Sequence, residues 1–125
     1  MNLKVLVVDD SNLARRMVRT LLEELGHTVE EASDGTQALE RYFINRHDLV
    51  FLDMVMQGMY GLDVLAKLRE LDPNVRVIVA TADIQTSTRD QVKAAGAVAF
   101  INKPLGRAAV TQVVTAVLNG GFTWS

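Results

Sequence analysis

The fold of this 125-residue chain is decided by its first apolar stretch, residues 3–11, which read LKVLVVDDS. Five of the six residues in Leu3–Val8 are apolar, and two aspartates then end the run. Such a run is typical of a strand that is buried on both faces, as the strands of parallel sheets are. Residues 48–53, DLVFLD, repeat the pattern and also end in an aspartate. The sequence therefore predicts two buried strands, each with aspartate at its carboxyl end.

Helical and strand-like segments alternate along the rest of the chain. Apolar residues at four-residue steps predict a helix over Asn12–Leu25, and we expect its stripe to pack in the core: Leu13, Met17, Leu21 and Leu25. Further strands are predicted at 28–32, 75–80 and 97–101, and further helices near Ala38, Leu62, Ser87 and Arg107. Ser87 and Asp90 predict a capping box for the fourth helix, which Gly96 ends.

Five strands that alternate with five helices predict an α/β fold, in which helices cover both faces of a doubly wound parallel sheet. We expect the flavodoxin-like strand order 2-1-3-4-5, which places the first and third strands side by side. The length suits one domain, which we place at residues 1–121, followed by a short tail at 122–125.

Composition excludes several classes of function. The formal net charge of -2 offers no electrostatic footprint for nucleic acid or an anionic membrane, so neither is an expected partner. The chain has 0 cysteines, which rules out disulfides and thiol chemistry. No apolar run approaches the length of a membrane span or of a signal-peptide core, so we expect the protein in the cytoplasm.

Polar residues collect at the ends of the predicted strands. Asp9 and Asp10 end the first strand, Asp53 the third and Thr81 the fourth, and Lys103 follows the fifth. Because the carboxyl ends of parallel strands share one edge of the sheet, these side chains are expected to meet where open α/β sheets bind ligands. Because three close carboxylates repel one another, we expect a hard cation between them, Mg²⁺ or alternatively Mn²⁺. Lysine and a hydroxyl suit phosphoryl oxygens, which makes Asp53 the candidate nucleophile for an aspartyl-phosphate.

Each of these features alone has an ordinary structural interpretation. Residues 9–11 before a helix also suit an N-cap, and a single aspartate after a strand is most often a turn residue. Lys103-Pro104 alone is typical of a solvated turn. The functional hypothesis therefore depends on all of these residues falling at the same edge of one sheet.

With these residues identified, the chain resembles the receiver domain of bacterial response regulators. The stretches that carry the resemblance are Val5–Ser11, Gly26-His27, Ala32–Gly35, Leu52–Met56, Gly61, Thr81-Ala82 and Phe100–Pro104. The resemblance implies a two-component signalling switch rather than an enzyme that acts on other substrates. A histidine kinase or a phosphotransfer protein is then the phosphoryl donor, and a downstream protein reads the phosphorylated state.

The resemblance also implies a role for each site residue. Asp53 matches the phosphoacceptor, Asp9 and Asp10 match the acidic pair that holds Mg²⁺, and the backbone carbonyl of Val55 matches a further metal ligand. Lys103 matches the phosphate-binding lysine.

A second set of matched residues belongs to the conformational switch. Thr81 matches the hydroxyl that moves towards the phosphoryl group, and Phe100 matches the aromatic residue that follows it inward. The Lys103–Pro104 peptide bond is expected to be cis. By the same resemblance, the output surface comprises the fourth helix, fifth strand and fifth helix of a monomer that dimerises, if at all, on phosphorylation.

Three positions depart from the pattern of the family. Gln57 stands where a proline is frequent, and Val55 is apolar where a side chain that orients water often stands. Asp83, two residues after Thr81, is able to orient water. Because Val55 and Asp83 match positions that modulate dephosphorylation, the lifetime of the phosphorylated state is left open.

Alternative functions remain at this stage. The first is a phosphorylation-independent interaction module on the same fold. The second is a flavin- or nucleotide-binding enzyme, against which the acidic, glycine-free loop at residues 9–12 argues. A third alternative, a dehalogenase-type phosphatase, needs a second acid where Val55 stands.

The histidines and the methionines near Asp53 are predicted to have structural roles. His27 and His47 lack a second ligand at metal spacing. The methionines are predicted to pack or to line loops: Met54, Met56 and Met59.

Overall fold

The structure, a computed structural model, describes residues 2–56, 59–82 and 85–120, with the backbone alone for residues 55, 56 and 59. Five strands are four or five residues long: β1 (Lys4–Val8), β2 (Thr28–Ala32), β3 (Leu49–Asp53), β6 (Val77–Thr81) and β7 (Ala99–Asn102). Two short strands, β4 (Val55–Met56) and β5 (Met59–Tyr60), lie between them in the chain. The helices are α1 (Asn12–Glu24), α2 (Gly35–Asn45), α3 (Gly61–Leu71), α4 (Thr86–Ala94) and α5 (Arg107–Leu118).

The five longer strands form one parallel sheet in the order β2-β1-β3-β6-β7. Counted without the short strands, this is the order 2-1-3-4-5, so the predicted flavodoxin-like fold with five helices is confirmed. The centre of the sheet pairs Val5 with Leu49 and Val8 with Leu52, which aligns the carboxyl ends of β1 and β3. The strands β4 and β5 were not predicted from the sequence, and they pair antiparallel as a separate two-stranded hairpin.

Two hydrophobic clusters fill the spaces on either side of the sheet. Leu6 and Val8 of β1 face a cluster with α2, α3 and α4, whereas Val5 and Val7 face a cluster with α1 and α5. Alternate residues of a strand point to opposite faces, so a strand covered on both sides is apolar throughout. This is why residues 5–8 are all apolar and do not alternate with polar residues.

The predicted core stripe of the first helix is wrong in part. Leu13 and Met17 are 71% and 55% exposed, and the residues that α1 buries are Val18 and Leu22. An α-helix turns about 100° per residue, so a strict four-residue step drifts by about 40° each time. From Leu13 to Leu25 the drift totals about 120°, and the two ends of the stripe therefore cannot share one buried face.

The start of the fourth helix also differs from the prediction. α4 begins at Thr86, and the side chain of its N-cap residue, Gln85, makes no capping hydrogen bond. Ser87 therefore lies inside the helix, and the predicted capping box is wrong. The predicted end is confirmed, because Gly96 follows the helix with a φ of +97°, a left-handed conformation that favours glycine. The boundaries of β6 and β7 lie one or two residues further along the chain than predicted.

Candidate functional site

The sheet brings the predicted polar residues to its carboxyl edge. Asp53 is the last residue of β3 and Thr81 the last residue of β6, while Asp9 directly follows β1. Lys103 follows β7, and its backbone N–H donates to the carbonyl of Thr81 at 2.8 Å. Since all five long strands are parallel, their ends supply these side chains to one place.

A lysine bridges two of the carboxylates. The Nζ of Lys103 donates to Oδ2 of Asp9 at 2.9 Å and lies 3.0 Å from Oδ1 of Asp53. Asp9 is only 5% exposed, and its other oxygen accepts the backbone N–H of Ser11 at 2.9 Å. Charge-assisted contacts of this length fix both carboxylates relative to Lys103.

The electrostatics of the bridge follow from burial and from crowded negative charge. Burial raises the pKa of Asp53, and the negative charges of Asp9 and Asp10 add to the increase, while the hydrogen bond from Lys103 opposes it. Burial alone lowers the pKa of Lys103, but its contacts with Asp9 and Asp53 outweigh that and raise the pKa. Lys103 therefore stays protonated at neutral pH, and the carboxylates favour further positive charge beside them.

The carboxylates also meet the requirements of a metal site. Asp9, Asp10 and Asp53 each offer one oxygen, and these oxygens all lie within 4.8 Å of one another. Asp10 is exposed, so the group opens to solvent. Carboxylate oxygens are the ligands of hard cations, and Mg²⁺ keeps several waters beside one or two carboxylates. The donor set therefore fits Mg²⁺ or Mn²⁺.

The other predicted site residues surround this group. Thr81 is buried at the end of β6, and Phe100 of β7 is partly buried against the cluster beneath α2, α3 and α4. The Lys103–Pro104 peptide bond is cis, the geometry that the resemblance implied. Val55 starts the β4–β5 hairpin two residues after Asp53. Asp83 and Gln57 lie outside the described residues, as does the tail at 122–125.

Gly61 is a site residue whose role the sequence analysis missed. It is the first residue of α3, and its N–H donates to the carbonyl of Met54 at 2.8 Å. A Cβ added to Gly61 would lie 2.7 Å from the carbonyl oxygen of Asp53 and 2.8 Å from Cα of Met54. The absence of a side chain therefore lets α3 start directly against the end of β3. A glycine just before a helical apolar stripe was the available signal.

A cavity of about 360 Å³ adjoins the carboxylates between α1 and residues 103–105, in the loop that precedes α5. Its walls are mostly apolar and include Met17, Val18, Phe51 and Leu105, and Asp53 and Lys103 stand among the polar residues that line it. Met17, which was predicted to be core, thus contributes to a cavity beside the site.

The histidines and Met54 have packing roles. Nδ1 of His27 accepts the backbone N–H of Leu3 at 3.2 Å, and Nε2 of the buried His47 lies 2.7 Å from Oε1 of Glu30. Within residues 2–56, 59–82 and 85–120, the acidic group at the sheet edge is the only set of three candidate metal ligands, and neither histidine belongs to it. Met54 is buried in the core, as predicted.

Comparison with known proteins identifies the class to which this fold and site belong. The model of the response regulator receiver domain matches residues 5–115, and the chain belongs to that family. The chain is 33% identical over 118 residues to the chemotaxis protein CheY of Thermotoga maritima, covering 94% of this chain and 98% of that protein. It is 36% identical over 104 residues to the sporulation initiation phosphotransferase F of Bacillus subtilis, covering 83% of this chain and 84% of that protein.

Solved structures agree with this assignment. A crystal structure of the CheX-CheY-BeF3-Mg+2 complex from Borrelia burgdorferi aligns with a TM-score of 0.88 at 34% identity, covering 92% of this chain and 88% of that one. A LuxR-family two-component response regulator from Aurantimonas aligns with a TM-score of 0.92 at 26% identity, covering 98% of this chain and 89% of that one.

Family membership fixes the general function. The chain is a CheY-like receiver domain of the two-component response regulators, a regulatory domain rather than a classical enzyme. Receiver domains bind Mg²⁺ at an acidic pocket, and this chain has an acidic group that could bind a metal. No helix in the part of the chain that the structure describes has the length and apolar character needed to cross a membrane.

Proposed function

We propose that this protein is a phosphorylation-dependent switch in which Asp53 accepts a phosphoryl group from a histidine kinase or a phosphotransfer protein. The observation that carries the proposal is the lysine bridge: Lys103 lies within 3.0 Å of both Asp9 and Asp53 at the carboxyl edge of the sheet. A nucleophile, an acidic metal group and a phosphate-binding cation thus stand together. An interaction module that needs no phosphorylation has no use for this combination.

The transfer step forms one bond and breaks one. A carboxylate oxygen of Asp53 bonds to phosphorus while the P–N bond to the donor imidazole breaks, and the imidazole nitrogen keeps the electron pair. Asp9 and Asp10, with the backbone carbonyl of Val55, would hold Mg²⁺, which when bound supplies charge neutralisation for the transferring group. Because Nζ of Lys103 lies 3.0 Å from Oδ1 of Asp53, it would contact an oxygen of the incoming phosphoryl group, and its positive charge would offset the negative charge that develops there.

The phosphoryl group would shift the conformational equilibrium by binding one state better than the other. Thr81, the last residue of β6, would donate its hydroxyl to the phosphoryl group, and Phe100 of the neighbouring strand β7 would fill the space that the movement of Thr81 opens. Val79 pairs with Phe100 and Thr81 with Asn102, so the two strands are linked in register. A change at Thr81 would thereby reach the surface formed by α4, β7 and α5, where we place the downstream protein partner.

The remaining features belong to the same proposal. The receiver unit occupies residues 1–121 in the cytoplasm, and the monomer forms a dimer, if at all, on phosphorylation. Val55 and Asp83 set the rate at which water removes the phosphoryl group. Any phosphoryl transfer that the protein catalyses is confined to its own phosphorylation and dephosphorylation.

Phosphorylation by acetyl phosphate tests this proposal. Wild type and Asp53→Asn are incubated with the donor, with Mg²⁺ or with EDTA, and measured by intact mass spectrometry. The expected result is one phosphoryl adduct on wild type with Mg²⁺ and none in the other three samples. Full labelling of Asp53→Asn would overturn the choice of acceptor. No adduct on wild type, together with no response to beryllofluoride, would favour the phosphorylation-independent module.

A further inference from the structure

Three segments meet around the loop that carries Asp9 and Asp10, and one guanidinium joins them. The side chain of Arg15, the fourth residue of α1, is only 12% exposed. Its Nη1 donates to the backbone carbonyl of Asp9 at 2.7 Å, and its Nη2 donates to Oδ1 of Asn12 at 2.6 Å. Its Nε donates to Oε1 of Glu31 on β2 at 2.8 Å. All three nitrogens of the guanidinium are thus used, each on a different segment.

We propose that Arg15 is a positioning residue that sets the direction of the Asp9 and Asp10 carboxylates and so the affinity of the site for Mg²⁺. The inference rests on the proposed metal-dependent function. The carbonyl that Arg15 holds belongs to the peptide group between Asp9 and Asp10. Because that group is planar and contains the Cα atoms of both residues, holding its oxygen restricts the orientation of the backbone from which both side chains extend.

Glu31 anchors Arg15 to the sheet. Its second oxygen accepts from Nη1 of Arg19 at 2.6 Å, and its backbone carbonyl accepts from Arg41. The hydrogen bonds from Arg19 and Arg15 lower the pKa of Glu31 despite its partial burial, so it remains ionised at neutral pH. β2 itself pairs with β1, where Val8 lies opposite Ala32. The guanidinium of Arg15 is therefore anchored to β2, the strand beside β1, and it holds the loop that follows β1.

The sign of the effect separates positioning from simple charge. Arg15 is a cation near a cluster of carboxylates, so its charge alone weakens the binding of another cation. If charge were its only influence, its removal would strengthen Mg²⁺ binding. If it positions the carboxylates, its removal weakens binding, as the loss of outer-shell partners of metal ligands does, by about 10-fold to 100-fold.

Titration calorimetry of Mg²⁺ binding to the intact protein, without any phosphoryl donor, tests the inference. Arg15→Met removes the charge and all three contacts. Arg15→Lys keeps the charge but offers a point-like ammonium, which cannot serve three separate acceptors. Arg16→Met is the matched control, because Arg16 is an exposed neighbour on the same helix and the change removes the same charge. Glu31→Gln loosens the anchor and leaves Arg15 in place.

We expect Arg15→Met and Arg15→Lys to weaken Mg²⁺ binding about tenfold or more, Glu31→Gln to weaken it less, and Arg16→Met to leave it near wild type or slightly stronger. Circular dichroism and a melting curve in EDTA establish which variants are folded, and Arg15→Lys, which keeps the charge, decides the matter if Arg15→Met is not folded. Wild-type affinity or tighter binding in folded Arg15→Met and Arg15→Lys would overturn the inference alone. Absence of Mg²⁺ binding by wild type would instead overturn the proposed function.

Discussion

Replacing Gly61 with alanine tests how the start of α3 shapes the site. The added Cβ would lie 2.7–2.8 Å from the backbone of Asp53 and Met54, and backbone atoms, unlike a flexible side chain, cannot rotate away. Overpacking of this kind costs about 1–3 kcal/mol. Helix propensity alone predicts the opposite, because alanine is about 1 kcal/mol better than glycine inside a helix. The sign of the change in unfolding free energy therefore decides which effect dominates.

The assay is thermal and urea unfolding of Gly61→Ala beside a matched control, Gly106→Ala. A Cβ at Gly106 meets nothing within 4 Å, so that variant is expected to remain within about 1 kcal/mol of wild type. A loss of about 2 kcal/mol in the 125-residue chain corresponds to a fall of about 8 °C in the melting temperature. We also expect weaker Mg²⁺ binding, since the backbone that must move carries Asp53. A Gly61→Ala variant that is as stable as wild type or more stable would refute the reasoning.

Three further predictions concern the supporting structure. Leu22→Ala is expected to cost about 2–5 kcal/mol and Leu13→Ala less than about 0.5 kcal/mol, because only the first is buried; equal losses in urea unfolding would contradict the assignment of faces in α1. Ser11→Ala is expected to cost about 1 kcal/mol, since its hydroxyl caps α1 at 3.2 Å, but to leave Mg²⁺ affinity unchanged, since the backbone N–H that holds Asp9 remains. Burial lowers the pKa of His27, so the unfolded chain binds a proton more readily; this part of the stability is complete above about pH 6.5 and is lost as the pH falls through the folded pKa. Urea titrations at pH 7.5 and 5.5 should show a smaller loss in His27→Asn than in wild type, and an equal loss would count against this cause.

The sequence was sufficient to predict the fold because strands covered on both faces leave a strong signal. The apolar runs before Asp9 and Asp53 fixed the two central strands, and their charged ends located the edge where ligands bind. Element boundaries were less accurate, as the misplaced capping box at Ser87 illustrates. A serine three residues before an acid also occurs inside helices, where the backbone N–H groups already have partners.

Packing limited what could be predicted of the helices and of the site. The stripe that begins at Leu13 could not be assigned to a face, because which side of α1 is covered depends on the sheet and not on the helix alone. The contacts of Arg15 and Gly61 were missed for a similar reason. Arg15 contacts Glu31, which lies 16 residues further along the chain. Gly61 matters because it has no side chain, which lets the start of α3 lie against the backbone of Asp53. Both roles appear only when distant parts of the chain are brought together.

The identity of the phosphorylated residue tests the central claim most directly. Wild-type protein is phosphorylated with acetyl phosphate and Mg²⁺ and then reduced with borohydride, which converts an aspartyl-phosphate to homoserine, and the site of conversion is read by tandem mass spectrometry. The account predicts conversion at Asp53 alone. Conversion at Asp9 or Asp10, with Asp53 unchanged, would contradict it.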